Sequence, residues 1–243
     1  MTHTTDTLNR ILQEMQNDLA GKEKVRAVFD LDSTLFNVAP RFSRIIKDFC
    51  KDSGMLQKYP QAIARLELAE VTTHPYYLKE FMNKIGLTDQ PKEFYKEVFE
   101  YWRERFFRDD YVIFDEPEKG AVEFVNRMLE LGAHVIYLTG RDEPRMKLGT
   151  IESLKKWNFP LEPDRADLVL KPLKEMDDAE FKRDHFKIFP EDEKIWFFEN
   201  EPVNIHLVLK DCPHVKIIYF DSVHSGKAPA PEGLPTIQHF LLK

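Results

Sequence analysis

Apolar and polar positions alternate between two rhythms along this chain. Val25-Arg26-Ala27-Val28-Phe29, Ala133 to Leu138, Asp167 to Leu170, Ile195 to Phe198 and Val215 to Phe220 are short, β-rich apolar runs bounded by polar residues, the pattern of strands buried on both faces. Between them, Pro117 to Leu131, Glu143 to Trp157, Asp177 to Phe189 and Pro202 to Leu209 carry apolar residues at three- and four-residue spacing, as amphipathic helices do. Leu8, Ile11, Leu12, Met15 and Leu19 have the same spacing after Asp6-Thr7, which predicts a leading helix capped there. Strands alternating with helices predict an α/β fold with a doubly wound, mostly parallel sheet.

One stretch breaks the alternation. From Leu35 to about Val112 no strand pattern occurs, and helix-like segments recur at Arg41 to Phe49, Tyr77 to Lys84 and Lys92 to Phe107. The expected organisation is therefore a core made of residues 1–37 and 113–243 with an inserted helical module at 38–112, hinged near Asn37 to Pro40 and Tyr111 to Asp115. Ala228-Pro229-Ala230-Pro231-Glu232-Gly233-Leu234-Pro235 predicts an extended loop, followed by a short C-terminal helix.

Composition narrows the functional classes. A chain of 243 residues with 42% hydrophobic residues and 19 Phe can bury a substantial core. The net charge of -7 disfavours nucleic acid as a backbone ligand, since tracking phosphates needs clustered positive charge. Cys50 and Cys212 form no disulfide or zinc pattern and read as buried thiols. The N-terminus lacks a basic segment followed by an apolar one, and no apolar run could span a bilayer. A cytoplasmic soluble protein is expected.

The chemistry gathers where strands end. Asp30 and Asp32 follow the first strand, two residues apart, so their carboxylates can converge. Thr139-Gly140-Arg141 ends a second strand with a hydroxyl, a small residue and a guanidinium, groups suited to holding an oxyanion. Glu199-Asn200-Glu201-Pro202 ends a third, with Asn204 close behind. Oxygen ligands collected with Asp30 suit Mg²⁺. Elsewhere the plainer readings weigh more. Arg41 and Arg44 fit a solvated helix face, His74, Tyr76 and Tyr77 fit packing, and Trp102-Arg103-Glu104-Arg105 carries no specific signal. Arg141 is as compatible with a surface ion pair as with substrate contact.

With these motifs the chain resembles the haloacid-dehalogenase-like (HAD) superfamily of phosphatases and phosphotransferases, over nearly its whole length apart from the insert. The first motif, Asp-x-Asp-x-Thr, stands as Asp30 to Thr34; the second is Thr139; the fourth is the acidic cluster at Glu199-Asn200, where Asn200 replaces a more usual carboxylate. For the motif lysine, Lys182 is favoured over Lys171. The resemblance implies that Asp30 is a nucleophile forming an aspartyl-phosphate and that Asp32 gives and later takes a proton. It implies that Thr139 and the lysine bind the phosphoryl oxygens, with Thr34, Gly140, Arg141 and Lys171 as further phosphate or substrate contacts. Asp30, Asp32, Glu199 and Asn200 are the implied Mg²⁺ ligands, and the insert is an implied cap. The expected activity is hydrolysis of a small phosphorylated metabolite. A phosphotransferase or mutase on the same scaffold, and a non-enzymatic phosphate- or partner-binding protein, are the alternatives.

Overall fold

The structure, a computed structural model, describes residues 2–242. In chain order it runs through α1 (Thr2–Ala20), β1 (Val25–Phe29), β2 (Phe36–Asn37), α2 (Ala39–Cys50), α3 (Ser53–Lys58), α4 (Pro60–Glu67), α5 (Leu78–Lys84), α6 (Lys92–Phe106), α7 (Asp109–Val112) and β3 (Glu116–Pro117). It continues through α8 (Ala121–Leu131), β4 (His134–Asp142), α9 (Glu143–Lys156), β5 (Ala166–Lys171), α10 (Asp178–Phe186), β6 (Lys194–Glu199), α11 (Pro202–Asp211), β7 (Lys216–Phe220) and β8 (Thr236–Ile237).

Six strands form a parallel sheet in the order β5-β4-β1-β6-β7-β8. Both faces of β1 are buried, which is why its sequence is almost continuously apolar. Ala27 and Phe29 join the core under α1 and α8, where Phe29 stacks on Phe198 at 4.6 Å. Val28 joins Phe186, Phe197, Ile205 and Val208 under α10 and α11 on the other face. The chain winds outward from β1 through β4 to β5, then returns to β6 on the opposite side of β1. Loops after β1, β4 and β6 therefore diverge, and they leave a crevice at the carboxyl ends of these strands.

The insert leaves and re-enters through a two-stranded antiparallel ribbon in which Phe36 pairs with Pro117 and Asn37 with Glu116. Helices α2 to α7 lie between the two ribbon strands. They enclose a core of their own, with Phe42, Ile46, Phe49, Ile63, Phe81, Phe94 and Val98 all buried.

Three local expectations change. Helix α1 is already running at Thr2, so Asp6-Thr7 lies inside it rather than capping it. Strand β4 continues past Thr139 to Asp142 with a shift in register after Leu138. Past the proline-rich loop there is no helix: Thr236–Ile237 adds a parallel strand to β7, and Phe240 stacks on Phe220 at 5.0 Å. Pro235 and the burial of Ile237 and Phe240 favour an extended edge there. Both cysteines are buried and free. No helix among the described residues is long and apolar enough to cross a membrane.

Candidate active site

Asp30 is the first residue beyond β1, held by donation from its N–H to the Phe198 carbonyl at 3.0 Å. Ser33 turns the chain away from the sheet in the left-handed region, with φ of 61°. Thr34 is completely buried, and its hydroxyl donates to Asn200 Oδ1 at 3.1 Å. The loop after β1 is thereby fastened to the end of β6.

Lys182 comes from α10, whose N-terminus is capped by Asp177 accepting from the Ala179 and Glu180 N–H groups. Its ammonium donates to Asp30 Oδ1 at 2.5 Å and to Glu199 Oε2 at 2.7 Å. Burial acts to lower the lysine, but the two carboxylates outweigh it and raise it. Burial pushes Asp30 up to about 7 against the pull of Lys182, with Glu199 adding to the rise. Lys171 is placed otherwise. It ends β5 and donates to Asp178 at 2.5 Å and to the Met176 carbonyl at 2.9 Å. Asp178 in turn covers Gly140, where an added Cβ would lie 2.6 Å from its carboxylate. Lys182 is thus the lysine that reaches Asp30.

Asp32 sits in a network that the pattern of the sequence did not disclose. Arg141 donates to it twice, from Nε to Oδ2 and from Nη2 to Oδ1, both at 2.9 Å. Arg41 Nη2 adds a bond to Oδ1 at 2.5 Å. Both guanidiniums also hold Asp115: Arg41 through Nε at 2.8 Å and through Nη2, Arg141 through Nη2 at 2.7 Å. Their remaining donors go to the Phe106 carbonyl and the Thr150 hydroxyl, each at 3.2 Å. Arg41 and Asp115 are 0% exposed and Arg141 2%. Burial acts to raise Asp32, but Arg141 and Arg41 together hold it well below the usual carboxylate range. Arg41 is therefore not a solvated helix residue and Arg141 is not a surface pair. The expectation that Asp32 gives a proton also meets a physical obstacle, because two arginines fix it as an anion.

The implied metal ligands divide into two pairs. Glu199 Oε1 accepts from the Asn200 and Glu201 N–H groups at 2.9 Å each, and Oε2 accepts from Lys182 and from Asn204 Nδ2 at 3.1 Å. With four donors around it, Glu199 has no acceptor position to offer a cation. The Asp32 carboxylate is taken up by the arginines. Asp30 retains its second oxygen, and the Asn200 amide oxygen faces Thr34 while its Nδ2 donates to the Val223 carbonyl at 2.6 Å. No group of three or more His, Cys, Asp or Glu among the described residues has the arrangement of a metal cage. The fit is to a hard cation held by Asp30 and Asn200, with the rest of its shell from water and substrate oxygens, an accepted manner of binding Mg²⁺.

Above Asp30 lies a cavity of about 640 Å³. Asp30, Asp32, Gly140, Lys182, Glu199 and Asn200 line the core side, and His74, Tyr76, Trp102, Phe106 and Phe107 line the insert side. His74 stacks on Phe106 at 5.3 Å, and burial followed by the nearby Arg41 lowers it to about 4. Tyr77 donates to the Ser225 carbonyl at 3.0 Å, and Ser225 is bound through its N–H and hydroxyl by Glu201. Thr139 is buried, its Oγ1 accepting from the Arg141 N–H at 3.2 Å. His74, Tyr76 and Trp102 thus face the cavity, although periodicity alone favoured packing for the first two and nothing for the third. For Trp102 the signal available was the run of aromatic residues at the end of α6; His74 and Tyr76, far from it in sequence, carried none.

Neither protein-family models nor curated proteins give a match to this chain. Solved structures do. A candidate phosphatase from Clostridium difficile superposes with a TM-score of 0.57 at 14% identity, covering 89% of this chain and 95% of that one. A predicted phosphatase from Clostridium acetobutylicum gives 0.52 at 15%, covering 88% and 94%. A HAD-superfamily hydrolase from Ehrlichia chaffeensis gives 0.51 at 12%, covering 90% and 93%. The fold is HAD-like. In a HAD-like core the crevice at the ends of β1, β4 and β6 is the natural place for chemistry, and here it contains the buried Asp30–Lys182–Glu199 cluster. At these identities the likeness concerns the fold, and function has to be argued from the site itself.

Proposed function

We propose that the protein is a phosphomonoester hydrolase with Asp30 as nucleophile, acting on a small phosphorylated metabolite. The observation that carries this reading is the Asp30 carboxylate at the floor of the cavity, ion-paired to a lysine that Glu199 also holds. The ionised Asp30 attacks phosphorus, the bond from phosphorus to the leaving oxygen breaks, and an aspartyl-phosphate forms. Water then attacks the same phosphorus, releasing inorganic phosphate and restoring the carboxylate. Lys182 offsets negative charge on the phosphoryl oxygens. At the bend of β4, Gly140 lines the same cavity, while Thr139 lies buried behind it with its Oγ1 accepting from the Arg141 N–H. Thr34 keeps Asn200 in place behind the nucleophile. Mg²⁺, held by Asp30 and Asn200, would supply further positive charge against the phosphoryl group when bound.

Asp32 takes a narrower role than the resemblance implies. Fixed as an anion with both oxygens engaged by guanidiniums, it cannot protonate the leaving oxygen and is a weak acceptor as well. The proton of the attacking water therefore passes to the phosphate that is released. Esters whose leaving group is already a stable anion are then the better substrates. The insert closes the cavity from above as a cap, with the Tyr77 to Ser225 contact joining it to the core.

Asn200 in place of a carboxylate, together with the filled acceptors of Glu199, favours a second reading: a phosphate-binding protein without turnover. Phosphate release from a panel of phosphorylated metabolites, with Mg²⁺ or with EDTA, separates the two. The hydrolase reading expects metal-stimulated release that Asp30→Asn abolishes. Release that appears only with an added hydroxyl acceptor would assign a phosphotransferase, and phosphate binding without release would assign the binding protein.

A further inference from the structure

The cavity above Asp30 has two unlike walls. The core wall carries its charged groups, whereas the insert contributes Val38, His74, Tyr76, Trp102, Phe106 and Phe107, none of them charged at neutral pH. Their rings are arranged against one another. Trp102 lies 4.9 Å from Phe106, Phe107 lies 5.1 Å from Phe106 edge-on, and His74 is nearly parallel to Phe106. Met146 extends this apolar surface from the core side. Trp102 Nε1 and His74 Nδ1 are both buried without a hydrogen-bond partner.

This wall discriminates among leaving groups. A polyol would bury hydroxyls against rings that offer few acceptors, which is unfavourable without compensating bonds. A leaving group with its own carboxylate, ammonium or second phosphate would find no opposite charge on the insert side. A flat, uncharged ring gains area and offset stacking there, and an acceptor on its edge would give the unpartnered indole N–H a bond. A cavity of about 640 Å³ also has room for a ring beside the phosphoryl group, being well within the range of small-molecule sites.

We propose that the leaving group accepted by this site carries an uncharged planar aromatic or heteroaromatic ring, bound against Trp102, Phe106 and His74. The ring sits directly on the ester oxygen, as in an aryl phosphate, whose phenoxide leaves as a stabilised anion without a proton from Asp32. A ring beyond a pentose, as in a nucleoside monophosphate, would leave as an alkoxide and is the case that turnover separates. The inference deepens the hydrolase reading and rests on it for the placement of the phosphoryl group over Asp30.

The test begins with binding, which needs no turnover. Benzylphosphonate and methylphosphonate are titrated by calorimetry into the wild-type protein and into Trp102→Leu, with thermal melts to confirm that the variant is folded. Phe107→Leu serves in the same way should Trp102→Leu not fold. The expected result is benzylphosphonate bound about tenfold tighter than methylphosphonate, with the ratio falling close to one in the variant. Equal affinities in the wild type, or a ratio unchanged in the variant, would overturn the assignment. Phosphate release from phenyl phosphate and nucleoside 5′-monophosphates, beside glycerol and hexose phosphates, then distinguishes a ring on the ester oxygen from one beyond a pentose. Faster release from the ring-free esters would overturn the proposal. A ring preference in binding without release from any ester would count against hydrolysis and leave the ring assignment standing. Failure of both phosphonates to bind would remove both.

Discussion

Replacing Asp115 by Asn should be among the most destabilising single changes available to this chain. Asp115 is fully buried and accepts from both Arg41 and Arg141, so the substitution leaves two enclosed guanidiniums to share the single carboxylate of Asp32. It also turns an amide NH₂ toward one of them. Removing one partner of a buried ion pair costs about 3–5 kcal/mol, because the remaining charge has lost its compensation and water cannot reach it. With a urea slope of about 3 kcal/mol per molar for a chain of this size, the midpoint should fall by about 1–2 M. Tryptophan fluorescence is a suitable probe: Trp102 reports on the insert, Trp196 on the sheet, and Trp157, whose Nε1 donates to the Asp115 carbonyl at 2.8 Å, on the junction. A loss under about 1 kcal/mol, the range of exposed pairs, would refute the reasoning and mean that water already reaches the network.

Other outcomes follow from the same geometry. Lys182→Met leaves Asp30 and Glu199 facing each other unscreened, so phosphate release should drop about 100-fold or more, whereas Lys171→Met, away from the nucleophile, should keep it within about tenfold; steady-state rates decide between them. Asn200→Asp adds a second carboxylate beside Asp30 and should tighten Mg²⁺ binding about tenfold, read by calorimetry without substrate. His74 and His185 are both held down to about 4 by burial, against about 6.5 when unfolded. Their neutral forms therefore favour the fold above pH 6.5, and stability declines as pH falls from 6.5 through 4. Between pH 7 and 5 each histidine should cost about 2 kcal/mol. His185→Phe should flatten that slope in urea titrations, and an unchanged slope would contradict it.

Much of the sheet could be read from local pattern. The five longer strands contain short apolar runs. Asp30 and Glu199 stand at the ends of β1 and β6, and Thr139 at the register shift within β4, the three strands lying side by side with β1 between β4 and β6. Lys182 required the resemblance, since a lysine on a charged helix is ordinarily solvent-facing. Arg41 and Asp115 escaped altogether. They are 74 residues apart, and the pairing depends on the β2–β3 ribbon returning the chain to its point of departure. Helical spacing around Arg41 says only that it shares a face with Ile45, not that the face is covered. Trp102 was hidden in the same way, within a helix whose sequence is mostly charged. The C-terminal strand was missed because two residues of ladder beside a proline-rich loop carry no periodicity of their own.

The ion network also has a bearing on how this protein could be rebuilt. Arg41, in the first helix of the insert, and Asp115, just past its last, cancel each other's charge, while Asp32 and Arg141 belong to the sheet ends and form a forked pair of their own. The seam between the two parts thus joins two neutral halves. An exchange that takes out everything from Arg41 to Asp115 removes a balanced pair and leaves the sheet with a balanced pair. A graft that kept one of the two and discarded the other would strand a charge at the seam. Chimaeras that swap the insert for another of different shape should tolerate the exchange when their junctions lie outside both residues, on the ribbon strands themselves.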